Sequence, residues 1–321
     1  MKVSVIIPTY KRSEYLKRAI DSVLNQSYNN IEIIVVDDNN PDTDYRKTNE
    51  LVMKEYEHNN NIIYIKHKKN MNGAVARNTG IKKASGDYIT FLDDDDFFLK
   101  DRLKNIIEYI KNTNYDAVYT GVITINHNHV KNIFSANKSG NLQYELLHMN
   151  SLFKTGSNLF FKSEVFKNLK GFDSSYIRHQ DIEFMLRFFD NYKIGALNDY
   201  SVVKDDSSRI NFPNSKIAIE MREKLLNEFD YLIKKYDKNE IYYFNYLNLY
   251  NIINDDRVDY IINKINQYGK LCHKQIIKKK LKNTFKVSRS IVGNIRGFYK
   301  YHLLNRDIRE NLFYYINEYK I

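Results

Sequence analysis

The chain has 321 residues, 43% of them apolar, enough for one large or two smaller packed domains. Its single cysteine, Cys272, excludes an intramolecular disulfide and fits a reducing compartment, and no apolar run approaches the roughly 20 residues that a bilayer-spanning helix needs. The net charge of +11 is uneven: 12 Lys or Arg and no Asp or Glu lie between Tyr260 and Arg306, which leaves 38 basic and 39 acidic residues in a nearly neutral remainder.

Val3 to Ile7 reads as a first strand, stopped by Pro8, with Pro8-Thr9-Tyr10 as the loop after it. Ser13 has the chemistry of an N-cap, and Leu16, Ala19, Ile20, Val23 and Leu24 follow at helical spacing. Ile31 to Val36 is almost continuously apolar, as in a strand covered on both sheet faces, and it ends in the turn cluster Asp37-Asp38-Asn39-Asn40-Pro41. A polar helix from Asp44 to Glu57, a third strand from Ile62 to Ile65, a basic loop from Lys66 to Gly73 and a helix from Ala74 to Ala84 come next. Tyr88 to Leu92 is a short run of β-formers that ends in four consecutive carboxylates, Asp93 to Asp96.

This alternation predicts an α/β fold with a mainly parallel central sheet, whose ligands sit outside the carboxyl ends of the strands. Three polar clusters fall at those ends: Pro8 to Tyr10, Asp37 to Asn39 and Asp93 to Asp96. Each alone is ordinary turn chemistry; together they predict one crevice. Four adjacent carboxylates repel unless a cation neutralises them, and Mg²⁺ or Mn²⁺ is the natural hard-ion partner. The alternative for the run is an acidic loop in which Asp96 caps a helix beginning near Leu99.

Further strands are predicted over Tyr115 to Ile125, Val130 to Phe134 and Ser157 to Phe161, with short helices over Leu142 to Met149 and from Ser163-Glu164. The segment Arg178 to Phe189 reads as a buried helix with Asp181 at its N-terminus, where backbone N–H groups favour a carboxylate. After a strand over Tyr200 to Val203, the strand signal fades and the pattern turns helical from Pro213. The expected division is an α/β domain over residues 1–210 and a helical basic region over 211–321.

Val3 to Tyr10, Val35 to Asp38, Asn70 to Gly73 with Ala76 to Gly80, Gly86 to Asp96, Gly171-Phe172-Asp173 and Gln180 to Arg187 together resemble the family-2 glycosyltransferases of the GT-A fold, over roughly residues 1 to 205. The resemblance implies that Pro8, Thr9 and Tyr10 contact the nucleotide base and that Asp38 accepts the imino N–H of uracil. It implies that Asn72 and Arg77 lie beside the donor diphosphate. It places a metal-binding Asp-x-Asp on Asp93-Asp94-Asp95, with Asp95 holding Mn²⁺ or Mg²⁺, Asp93 aiding it, and Asp93 and Asp94 sharing sugar and ribose contacts. It makes Asp181 the catalytic base.

The chain departs from the family pattern at several points. Asn72 stands where Gly is usual, which Asn tolerates. Gln180 precedes Asp181 where Glu is common, which removes a like charge and lowers the pKa of Asp181 relative to an acidic pair. No histidine follows the last core strand, and a diphosphate role there is open between Lys204 and Arg209. The chain lacks the Gln-x-x-Arg-Trp element and spans of processive synthases, so one sugar per encounter is expected.

The implied activity is inverting transfer of a hexose or N-acetylhexosamine from a UDP-sugar to a glycan acceptor, lipid-linked, in surface-polysaccharide synthesis. The competing readings are a non-catalytic binding relative, a different nucleotide-sugar, and a nucleotidyltransferase. The last lacks a Gly-rich phosphate loop after the first strand. The basic stretch over residues 260–306 predicts attachment to an anionic membrane surface from the cytoplasmic side. Its alternative is a solvated basic face, and no signature of nucleic-acid binding accompanies the charge.

Overall fold

Strand and helix alternate through the first third of the chain: β1 (Val3–Thr9), α1 (Ser13–Leu24), β2 (Ile31–Asp37), α2 (Asp44–Lys54), β3 (Ile62–Lys66), α3 (Gly73–Lys83), β4 (Tyr88–Phe91), β5 (Phe97–Phe98) and α4 (Arg102–Lys111). The structure, a computed structural model, describes residues 1–127, 129–150, 152–207, 214–271, 304 and 306–318. The next segment holds β6 (Ala117–Asn126), β7 (His129–Phe134), α5 (Gln143–Leu147), a 3₁₀ turn (Gly156–Asn158), β8 (Leu159–Lys162), α6 (Glu164–Asn168), α7 (Gln180–Phe188) and β9 (Ile194–Asp205). Helices α8 (Ser215–Glu228), α9 (Asp230–Ile233), α10 (Lys238–Ile252), α11 (Val258–Tyr268) and α12 (Arg306–Glu318) complete the described residues. Most of the basic stretch, residues 272–303 and 305, lies outside them, as does Arg209.

One sheet runs in the order β3-β2-β1-β4-β8-β6-β9-β5, with β7 on β6. β3, β2, β1 and β4 are mutually parallel, and β8 continues the sheet antiparallel. Thr9 pairs in register with Asp37, and Ile6 with Phe91. The carboxyl ends of β1, β2 and β4 therefore open onto one rim, which collects the three polar clusters.

Apolar layers cover both faces. Val3, Val5 and Ile7 pack with Leu16, Ile20, Leu103 and Ile106 on one side. Ile6, Ile34, Val36 and Phe91 pack on the other with Phe161, Phe184 and Phe188. Burial on both faces is why β2 lacks strand alternation. The second layer continues without a break into Leu225, Leu226, Ile241, Leu249, Ile261 and Ile265, so the helices beyond residue 214 share the core of the sheet. A third cluster joins Phe97, Leu99 and Val203 to Leu304, Leu312 and Tyr315, so α12 lies against the short edge strand β5.

Three local expectations change. Ser13 is the first helical residue, not the N-cap: Arg12 takes the cap position without a side-chain cap bond, and Ser13 Oγ donates to Tyr45 O at 2.9 Å. Ser157 and Asn158 form a 3₁₀ turn ahead of β8. Ser157 Oγ bonds Asp96, and the Asn158 amide bonds Thr120 and Phe153, so these side chains hold the turn in place of a longer ladder. The last core strand is far longer than Tyr200 to Val203, because β9 pairs in parallel along nearly all of β6.

Candidate active site

The rim is built from the ends of β1, β2 and β4. Thr9 is buried and Tyr10 exposed; the Tyr10 N–H donates to Asp94 Oδ2 at 3.2 Å, which locks the first loop to the acidic run. Lys11 adopts a left-handed φ of 59°, and its N–H donates to Asn39 Oδ1 at 2.9 Å. Loop one is thereby tied to loop two.

The two aspartates after β2 have separate tasks. Asp37 is fully buried; its Oδ2 accepts from Asn49 Nδ2 and the Tyr64 hydroxyl and forms an ion pair with the Arg46 guanidinium, whose Nε lies 3.0 Å away. It is part of the scaffold. Asp38 reaches the basic loop: its Oδ1 meets His67 Nδ1 at 2.7 Å and the Met71 N–H at 2.8 Å, and its Oδ2 accepts from Asn70 Nδ2 at 2.7 Å and the Asn72 N–H at 3.0 Å. All four lone-pair positions of that carboxylate are engaged by these loop groups. Asn72 has φ 93° and ψ 163°, and its Oδ1 caps α3 by accepting from the Ala74 and Val75 N–H groups.

The four acidic residues after β4 do not act as one group. Asp93 pairs with Arg77, whose Nη2 lies 2.5 Å from Oδ1, while Arg77 Nη1 donates to Gln180 Oε1 at 3.0 Å. Arg77 thus ties the acidic run to the start of α7. Asp94 and Asp95 both face Arg12, whose Nη1 lies 3.5 Å from Asp94 Oδ1 and 2.6 Å from Asp95 Oδ2. Asp96 points inward and accepts from Thr155 Oγ1 and Ser157 Oγ, each at 2.7 Å, and from the Asp205 N–H at 3.2 Å. It caps no helix, since α4 begins at Arg102. The fully buried Arg18 donates to Asp95 O at 2.6 Å and pairs with Asp205 at 3.0 Å, which fixes the acidic backbone to the end of β9.

Burial dominates the electrostatics. It drives the Asp94 carboxyl well above the usual range, with Asp95 adding to the rise and Arg12 opposing it. Burial likewise pushes Asp96 up to about 8, with Asp95 and Asp93 adding. Burial pulls Arg12 down, but the neighbouring carboxylates, Asp95 first, outweigh it and leave the guanidinium above its usual value. Asp181 is half-buried at the first turn of α7. Burial raises its carboxyl, opposed by Arg77 and by the N–H groups of Ile182 and of Asp181 itself. A neutral Gln180 removes one repulsion, and the net shift is still upward.

A divalent ion fits this rim through few protein oxygens. Asp95 Oδ2 and Asp94 Oδ1 already face a cation, and Mg²⁺ characteristically takes one or two carboxylates plus substrate phosphates. Among the described residues, no three or more His, Cys, Asp or Glu side chains converge as a metal cage. Asp93 and Asp96 are turned to other partners.

The rim collects Pro8, Thr9, Tyr10, Asp38, Asn72, Arg77, Asp93, Asp94 and Asp95, and Asp181 follows Gln180 at the far end of the Arg77 bridge. Sequence reasoning missed Arg12 and His67. A Lys11-Arg12 pair opposite four carboxylates was the available signal for Arg12; His67 carried none. Lys204 donates to Lys154 O at 2.8 Å, near enough to Asp96 to oppose its upward shift. His179, the left-handed N-cap of α7 with φ 61°, turns to the buried Arg222 of α8 at 3.5 Å.

Residues 4–170 match the model of glycosyl transferase family 2. The chain is 39% identical over 143 residues to an uncharacterized glycosyltransferase of Rickettsia felis, covering 44% of this chain and 23% of that protein, so it spans about a quarter of that relative. It is 29% identical over 247 residues to an uncharacterized glycosyltransferase of Methanocaldococcus jannaschii, covering 76% of this chain and 82% of that one. It is 32% identical over 191 residues to the amylovoran biosynthesis glycosyltransferase AmsB of Erwinia amylovora, covering 57% and 62%. Among solved structures, residues 1–349 of S. aureus TarS in complex with UDP-GlcNAc align at a TM-score of 0.57 with 17% identity, over 84% of this chain and 89% of that one. The mannosyltransferase PcManGT of Pyrobaculum calidifontis, in complex with GDP-Man and Mn²⁺, aligns at 0.55 with 16% identity, over 92% and 84%. With its rim of polar loops over a twisted α/β sheet, this chain belongs to glycosyl transferase family 2 and has the GT-A fold.

Proposed function

We propose that the protein is an inverting, non-processive glycosyltransferase that moves a hexose or N-acetylhexosamine from a UDP-sugar to a hydroxyl of a glycan acceptor in surface-polysaccharide synthesis. The observation that carries the reading is the bridge Asp93–Arg77–Gln180. It supports reading Asp181, the residue after Gln180, as a carboxylate set apart from a cation seat on Asp94 and Asp95. That is the separation a single displacement requires: charge is neutralised on the leaving side, and a proton is removed on the attacking side.

Asp181 takes the proton of the acceptor hydroxyl as that oxygen attacks the anomeric carbon. Its raised pKa, owed first to burial, moves its basicity toward the working pH. Asp95 and Asp94 would hold Mn²⁺ or Mg²⁺, which would supply Lewis acidity against the charge gathering on the departing diphosphate. Pro8, Thr9 and Tyr10 face the base. Asp38 accepts the uracil N–H by exchanging one of its four loop partners. The part that AmsB is named for in amylovoran biosynthesis supports a polysaccharide acceptor. The basic stretch over residues 260–306 supports docking on an anionic membrane that presents a lipid-linked acceptor.

The first test is nucleotide release from a panel of UDP-sugars and GDP-mannose, with Mn²⁺, Mg²⁺ or EDTA. Metal-dependent release from one UDP-sugar, lost in Asp95→Ala, is the expected result. Release from GDP-mannose alone would overturn the uracil reading and leave the rest. For the membrane, Lys→Gln changes at 278, 279, 280, 282 and 286 should reduce co-sedimentation with phosphatidylglycerol vesicles. Deleting residues 260–321 is not a clean test, because it removes Ile261, Ile265, Leu312 and Tyr315 from the core.

A further inference from the structure

Arg12 occupies the one place on the rim where a metal ion is wanted. Its Nη1 is 2.6 Å from Asp95 Oδ2 and 3.5 Å from Asp94 Oδ1. A divalent ion bound to Asp95 would sit at about 2.0–2.2 Å from the same oxygen, so ion and guanidinium exclude each other by size and by charge. The two carboxylates cannot move away to admit both. Asp94 is held by the Tyr10 N–H and Asp95 by Arg18 on its carbonyl, and both side chains are nearly buried. Arg12 is the partner that can swing away: its side chain is 32% exposed, against 5% for Asp94 and 10% for Asp95. A planar guanidinium pairs with a phosphate as readily as with a carboxylate.

We infer that Arg12 is the residue that couples donor binding to metal binding. In the free protein it serves as the resident cation of Asp94 and Asp95. When a nucleoside diphosphate arrives, its guanidinium transfers to a phosphate oxygen and Asp95 is released to the divalent ion. This rests on the metal-dependent reading proposed above and adds an order of events to it. The ion alone meets an occupied seat; with the nucleotide present, the seat is open and the phosphates supply further ligands. By linkage, the ion then tightens nucleotide binding by the same factor.

The test is Mn²⁺ titration followed by electron paramagnetic resonance, on the full chain, with and without UDP, for wild type, Arg12→Gln and Arg12→Lys. Without nucleotide, Arg12→Gln should bind Mn²⁺ about tenfold more tightly than wild type, because the competing cation is gone. Arg12→Lys, which keeps the charge, should stay near wild type. UDP affinity should fall about tenfold in Arg12→Gln, because the phosphate partner is lost. Mn²⁺ should also raise the melting temperature of Arg12→Gln more than that of wild type, since Asp94 and Asp95 have lost the guanidinium in that variant. Equal Mn²⁺ affinity of wild type and a folded Arg12→Gln, without nucleotide, overturns the inference and leaves metal dependence standing. No Mn²⁺ binding by any of the three, with or without UDP, overturns the metal-dependent reading and this inference together.

Discussion

Asp181 shows how a site residue is held against its own solvation. The fold favours its protonated form, because burial raises the carboxyl above the ordinary 3.8. That contribution to stability is complete below the ordinary value and is lost as the pH rises through the raised one. At neutral pH the ionised group is therefore a cost. Asp181→Asn should raise the melting temperature at pH 7, with the gain shrinking toward pH 4. The same variant should lose transfer by about 10²–10⁴-fold while UDP binding persists. In the wild type, the acid limb of the pH–rate profile should lie above the range of a free aspartate. Unchanged turnover in Asp181→Asn would remove the residue from the chemistry. Asn72 is a second case. Its φ of 93° with ψ 163° is a conformation that glycine adopts almost alone, at a cost of about 1–3 kcal/mol for other residues. Its side chain offsets part of this by capping α3 and by donating to Ser174 O at 3.0 Å. Denaturant titration should find Asn72→Gly more stable than Asn72→Ala by about 1–2 kcal/mol, since Ala keeps the strain and loses the cap. The reverse order would show that the backbone here is unstrained.

At the scale of elements, close approach decides what is tolerated. α3 lies on β1 with Gly80 at the contact, and a Cβ there would come within 2.4 Å of Ile6 Cγ2. Gly80→Ala should cost about 1–3 kcal/mol by urea unfolding, because Ile6 has no free volume to enter. The elements of the parallel half were legible because their signals are local: apolar runs for β1, β2 and β4, helical spacing for α1 and α4, and polar clusters where the strands end. What escaped is set by contacts distant in sequence. Asp37 and Asp38 are chemically identical neighbours, yet one is fixed inward by Arg46 and Tyr64, and the other outward by loop residues some 30 positions away. The turn at Gly156–Asn158 exists because Asp96 and Thr120 claim its side chains. The Lys11-Arg12 pair is visible in the sequence, but which carboxylates Arg12 meets is set only when the acidic run is folded against it. The grip of α8 on the approach to Asp181 was equally hidden: Arg222 reaches His179, Lys224 donates to Ser175 Oγ, and the Tyr176 hydroxyl donates to Glu228.

For the whole molecule, the division expected near residue 210 marks a change in composition, and the apolar core runs across it. Burial pulls His179 down to about 3, with Arg222 and Arg178 adding to the fall, so a neutral ring meets the buried guanidinium. α12 closes over β5 in the same manner, with the Tyr315 ring tilted against Phe97 at a centroid distance of 5.0 Å and the Arg18 guanidinium 4.7 Å from the centroid of the same Phe97 ring. Tyr315→Ala should cost about 3–5 kcal/mol by denaturant titration, an aromatic truncation at a fully packed site. A loss under 1 kcal/mol would mean that α12 adds little to the fold.

The unbroken core also limits how such proteins can be recombined. Transferases that differ in acceptor invite exchange of their C-terminal regions, as though these were attachments on a common engine. Here the graft would carry away the partners of Ser175, Tyr176 and His179, three residues lying within six positions of Asp181. A chimera joined near residue 214 would therefore inherit a loosened lead-in to Asp181 before it acquired a new acceptor. A working exchange has to move the segment from Asp173 to His179 together with α8, as one transplanted unit.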